Sequence, residues 1–142
     1  MLSSRTRIIL AWTPAVLYTL LIWWLSSQVL DIAFMNRVPF ADKGVHFLEY
    51  GALAFFIAFA HVNTWPERTV SGPLLAAVFT AALGLVDELH QGFVPGRFSD
   101  IYDLFADVLG SIGAVLIFLA LLFAVRALRR TTPVQRISTT PP

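Results

Sequence analysis

Residues 8–30 read IILAWTPAVLYTLLIWWLSSQVL, without one charged side chain. At a rise of about 1.5 Å per residue, a helix over 8–26 is long enough to cross a hydrocarbon layer of about 30 Å. The stretch therefore predicts a membrane span, and that reading decides what kind of protein this is. Arg5 and Arg7 precede it, as basic residues precede a secretory signal. The apolar run exceeds the roughly 7–15 residues of a signal sequence and no Ala-x-Ala-like site follows, so an uncleaved anchor is expected. Pro14 falls within the span and is expected to bend it, a defect that neighbouring helices offset in a membrane.

The rest of the chain agrees. Of 142 residues, 57% are hydrophobic and the mean hydropathy is +0.73, whereas soluble domains average about 45–50% apolar residues. With the first span taken as 8–28, three more follow. Residues 44–62 carry Glu49 as their only acid, between His46 and His61; 73–91 open on Ser71-Gly72-Pro73, a helix start with proline in the first turn; 103–125 are uncharged from Val108 onward. Short connections force neighbouring helices to run antiparallel. The fold class expected is an all-α membrane protein, a compact bundle of four transmembrane helices over 1–125. Residues 126–142, rich in Arg, Thr and Pro, are expected to form a basic disordered cytoplasmic tail against anionic lipid.

Basic residues flanking the spans set the orientation. If the N-terminus is inside, Arg5, Arg7, Arg68, Arg126, Arg129, Arg130 and Arg136 are cytoplasmic, against Arg37, Lys43 and Arg97 outside. Both termini are therefore expected in the cytoplasm, with Trp12 and Trp65 near the inner interface and Trp23 and Trp24 near the outer. The formal charge is only +1 and carries no clustered basic patch, which argues against a nucleic-acid partner. The absence of cysteine excludes disulfides, thiol catalysis and Cys-ligated zinc.

Most of the acids gather in two stretches: 40–50, FADKGVHFLEY, and 86–97, VDELHQGFVPGR, running on to Asp100, Asp103 and Asp107. The expected topology brings both to the outer side. Counting inward from the span ends places Glu49, Asp87 and Asp107 at one depth, roughly 7–9 Å below the surface. A charge in the hydrocarbon region costs on the order of 2.5–3.5 kcal/mol or more, so such groups face the bundle interior, pair, or take up protons. His46, Glu49 and Tyr50 share one helix face at i, i+3 and i+4; Asp87 and Gln91, and Asp103 and Asp107, do so at i, i+4. Adjacent Asp87 and Glu88 cannot point the same way. Ala106, Gly110 and Ala114 form a small-residue row that permits close helix contact.

The candidate polar binding site is thus Asp42, Lys43, His46, Glu49, Tyr50, Asp87, Glu88, Gln91, Arg97, Asp103 and Asp107. Plainer roles stand beside it. Asp42, and Asp100 or Asp103, suit helix N-caps; Gln91-Gly92 and Pro95-Gly96 suit a helix stop and a turn; His61 and His90 suit the membrane interface. Arg97 serves equally as a counter-ion in an interhelical network made for packing. No catalytic residue, metal or cofactor is assigned.

The pattern Asp42-Lys43-x-x-His46-Phe47-x-x-Tyr50, then Asp87-Glu88-x-x-Gln91-x-Phe93-x-Pro95-Gly96-Arg97, then Asp103 and Gly110, resembles the VanZ-like family of small bacterial membrane proteins. The family usually has Asn where this chain has Asp107. The resemblance implies a multi-pass protein of the bacterial inner membrane and an association with low-level resistance to the glycopeptide teicoplanin.

Three functional readings follow. The leading one is a non-enzymatic envelope protein whose outer site binds a cell-wall precursor, a lipid head group or another membrane protein, with Lys43 and Arg97 placed to contact a phosphate. The second is an intramembrane enzyme acting on a lipid-linked phosphate through acid–base groups or oxygen-rich metal ligands; no His-Glu-x-x-His motif and no nucleophile with an evident base supports it. The third is a proton-coupled carrier, for which no inverted repeat is evident.

Overall fold

The computed structural model describes residues 3–29 and 39–131. Four helices account for most of them: α1 Ser4–Ser26, α2 Ala41–Thr64, α3 Ser71–Gln91 and α4 Ile101–Thr131. Each is long and apolar enough to cross a membrane, and no strand occurs among the described residues. Arg37 and Arg136, counted for orientation, and residues 132–142 of the expected tail lie outside the described residues.

Helix ends differ from the apolar limits, and at the starts of α1 and α4 a polar cap extends the helix. α1 starts at Ser4, not at 8, since the Ser3 hydroxyl accepts from the Thr6 N–H at 3.2 Å and satisfies a donor of a polar first turn. α4 begins behind Asp100, whose Oδ1 accepts from the Tyr102 N–H at 2.9 Å. It continues past 125 to Thr131, so the first residues assigned to the tail are helical. Arg129 and Arg130 in its last turn suit the negative end of the helix dipole.

The packing is lopsided. α2, α3 and α4 all contact one another and form the core, whereas α1 rests on α2, barely meets α3 and makes no close main-chain approach to α4. Tyr50, Leu53, Ile57 and Ala58 of α2, Ala76 of α3 and Phe118 of α4 fill the centre, with Ala15 and Ile22 of α1 against them. α2 and α4 approach closest at two glycines. A side chain at Gly110 would run into the main chain of Phe47, and one at Gly51 would crowd the Gly110 carbonyl. The small-residue row on α4 thus does what its spacing predicts. Outward-facing Leu17, Leu20, Leu75, Val78, Leu109 and Leu116 stay exposed, as a lipid solvent requires.

Antiparallel neighbours give the bundle two distinct ends. At one, Trp12 Nε1 donates to Thr64 Oγ1 (2.9 Å), Trp12 meets Trp65 edge to face, and Arg126 donates to Thr69 Oγ1 (2.9 Å). At the other, His90 stacks on Trp23 with centroids 4.2 Å apart and its Nε2 lies 3.1 Å from Ser27 Oγ. This second end holds seven of the nine Asp and Glu residues.

Candidate functional site

Lys43, in the first turn of α2, is the hub. Its Nζ lies 2.8 Å from Asp42 Oδ2, 2.6 Å from Asp100 Oδ2 and 2.9 Å from Asp103 Oδ1. Asp100 therefore caps α4 with one oxygen and binds Lys43 with the other, and the lysine holds its carboxyl below the usual carboxylate range, helped by the Tyr102 N–H. Asp42, expected as an N-cap, is instead a first-turn residue paired with Lys43; the capping position is Phe40, in the left-handed region at φ 62° and without a side-chain cap.

One turn deeper, His46 Nδ1 lies 3.0 Å from Asp107 Oδ1, while its Nε2 is 3.9 Å from Asp103 Oδ2. The ring runs parallel to Tyr50, 6.4 Å away. Asp107 is fully buried, and its Oδ2, beside Gly84 of α3, has no hydrogen-bond partner. Glu88 reaches across from α3: Oε2 accepts from the Asp100 N–H at 2.7 Å, and Oε1, also buried, has no partner.

The C-terminal turn of α3 supplies a second chain of contacts. Gln91 Nε2 donates to Asp87 Oδ2 (2.9 Å), and Gln91 Oε1 accepts from Arg97 Nη2 (3.1 Å). The Arg97 Nη1 donates to the main-chain carbonyls of Gln28 (3.0 Å) and Leu25 (3.4 Å). Arg97 is thus a clamp on the carbonyl end of α1, where a cation is electrostatically favoured, and among the described residues it forms no ion pair. Gly96, at φ 87°, turns the chain so that the arginine faces back toward α1.

Between these layers lies a cavity of about 520 Å³, within the range of about 300–1,000 Å³ common to ligand sites. Asp42, Glu49, Asp87, Asp100 and Asp103 line it with Lys43, His46, Gln91 and Arg97. Of the residues expected at the site, Tyr50, Glu88 and Asp107 stand behind this lining, buried among the three core helices. Asp87 and Glu88 do point to different partners, yet both are buried, because α3 is flanked by α2 and α4. The wall contributed by α1, Ile22, Leu25 and Ser26, was not legible beforehand; the Ser26-Ser27 pair closing an apolar span was its one sequence signal. His90 is not in the lining and stacks on Trp23, while His61 packs against Trp65 near the other end.

Four lipid-compatible helices around a carboxylate-rich, partly enclosed cavity define a small multi-pass membrane protein with a polar site near one membrane face. The VanZ/LLP1 family model matches residues 3–124, and the chain belongs to that family. No curated protein and no solved structure matches it.

Proposed function

We propose that this VanZ/LLP1 protein is a non-catalytic binding protein of the bacterial inner membrane. In this reading both termini are cytoplasmic, and the cavity opens at the outer face to hold the amine-bearing head of a lipid-anchored molecule, a lipid head group or a cell-wall precursor. One observation carries the reading: of the five carboxylates that line the cavity, Glu49 and Asp87 form no ion pair among the described residues, while Lys43 is engaged by the other three and Arg97 by carbonyl oxygens. Lys43 meets three carboxylates and Arg97 meets carbonyl oxygens, so neither is free to take the phosphate that the sequence pattern suggested. A carboxylate-lined cavity recognises an ammonium group instead. Ile22, Leu25, Val29, Val45 and Phe98 in the same lining suit the apolar part of such a ligand. A protein holding a cell-wall precursor at this end would alter teicoplanin susceptibility, in line with the family's association.

The test is lipid retention by the full chain, read by native mass spectrometry after extraction from vesicles containing phosphatidylethanolamine, its N-acetylated form and phosphatidylglycerol. Retention of the free amine alone, weakened at least tenfold by Glu49→Gln with Asp87→Asn, is the expected result. Equal retention of phosphatidylglycerol, or loss of binding only on Lys43→Met, would overturn it in favour of a phosphate-directed site.

A further inference from the structure

We propose that His46, Glu88 and Asp107 bind a divalent first-row transition ion of the Mn²⁺ or Zn²⁺ class beneath the cavity floor. The inference goes beyond the amine-binding reading and does not depend on it. One ring nitrogen of His46 and one oxygen each of Glu88 and Asp107 lie within 4.8 Å of one another. Donors about 2.1 Å from a common ion stand about 3.4 Å apart in a tetrahedral shell and about 3.0 Å apart as neighbours in an octahedral one. The 3.0 Å between His46 Nδ1 and Asp107 Oδ1 already matches the spacing of two donors on one ion.

Independent of the clustering, two carboxylate oxygens of these same residues lack a hydrogen-bond partner. Glu88 Oε1 and Asp107 Oδ2 are both buried and accept no hydrogen bond, in residues 3% and 0% exposed. Buried charges are paired or coordinate metals. The local balance points the same way: Asp87, Glu88, Asp103 and Asp107 are all buried, and Lys43 reaches only Asp103 among them. A divalent ion would neutralise this excess and supply both orphaned oxygens with a partner. One imidazole with two carboxylates is a mixed nitrogen–oxygen set, which suits Mn²⁺ or Zn²⁺ better than the all-oxygen shells of Ca²⁺ and Mg²⁺. No sequence motif announces the site because its three ligands come from three helices. His46 also lines the cavity and gives an ion its way in.

The experiment uses the full chain in detergent, stripped by chelator and reloaded with Mn²⁺. The expected results are one ion per chain, a ¹⁴N hyperfine coupling from His46 in pulsed electron paramagnetic resonance, and a metal-dependent rise in melting temperature. Glu88→Gln and Asp107→Asn should weaken binding by at least about 10–100-fold, whereas Glu67→Gln, exposed at the opposite end, should not. Absence of nitrogen coupling in the unaltered chain overturns the proposal, as does an ion held equally well by Glu88→Gln and Asp107→Asn. Should those variants fail to fold, the nitrogen coupling of the unaltered chain decides alone.

Discussion

The imidazole Nδ1 of His46 and Oδ1 of Asp107 meet at 3.0 Å, joining α2 to α4 in a pocket where Asp107 is 0% exposed and His46 only 8%. Removing one partner of such a pair leaves a polar group stranded. His46→Ala is expected to destabilise the bundle by about 3–5 kcal/mol, whereas His46→Leu combined with Asp107→Leu should cost far less. Denaturant unfolding in detergent micelles measures the difference.

At the α2–α4 crossing, Gly110 admits no side chain because the Phe47 main chain lies in the way. Gly110→Ala is expected to cost about 1–3 kcal/mol through forced separation of the helices. Gly44→Ala, in the same helix pair but with nothing near its missing side chain, should be neutral or gain up to about 1 kcal/mol from helix propensity. Parallel melts of the two variants test the contrast.

Acid should loosen the rim before the core. Asp100 has its carboxyl held below the ordinary value of 3.8 by Lys43. The stability it adds is present above that value and is lost as pH falls through the lower folded one. The Asp100 contribution to the melting temperature is expected to hold from pH 7 to about 4 and then fall away, and Lys43→Met should remove this part of the fall. A pH series of thermal melts on both proteins checks it.

Arg97 fastens α1 through Nη1, which donates to the Gln28 and Leu25 carbonyls, while Nη2 ties the same guanidinium to Gln91. Arg97→Ala should lower amide protection in the last turn of α1, by a free energy of about 1.5–3 kcal/mol, the worth of hydrogen bonds to a charged group. Arg97→Lys keeps the charge but not the planar fork, and should recover only part. Hydrogen exchange of α1 against α4 is the readout.

The proposed orientation is testable because the chain has no cysteine. Phe98→Cys, at a position 87% exposed, should react with an impermeant thiol reagent in intact cells. Glu67→Cys, at the opposite end of the bundle, should react only after permeabilisation. Reversal of the two would place the cavity on the cytoplasmic side.

The four spans were legible because apolar length is a local property that needs no partner. Convergence of Glu49, Asp87 and Asp107 toward one end was legible too, since alternating helix directions turn residue counting into depth. The rest depended on contacts that no spacing encodes. Arg97 takes main-chain acceptors, identical at every residue, so its role as a clamp on α1 left no mark in the pattern. Glu88 looked like the odd neighbour of Asp87 until α4 proved to flank α3 and bury it as well. Asp100 passed as a plain N-cap because its second oxygen, on Lys43, is 57 residues away in sequence.

The Arg97 clamp also bears on how the chain is made. Leu25 and its partner are 72 residues apart, which at bacterial synthesis rates of about 5–20 residues per second separates their emergence by about 4–14 s. During that interval α1 can lean on α2 through Trp12 and Thr64, and its far end gains its polar anchors only when His90 and then Arg97 have been made. The polar fastening of the far end of α1 is therefore completed late in synthesis, by the loop made just before α4, which also closes the cavity wall.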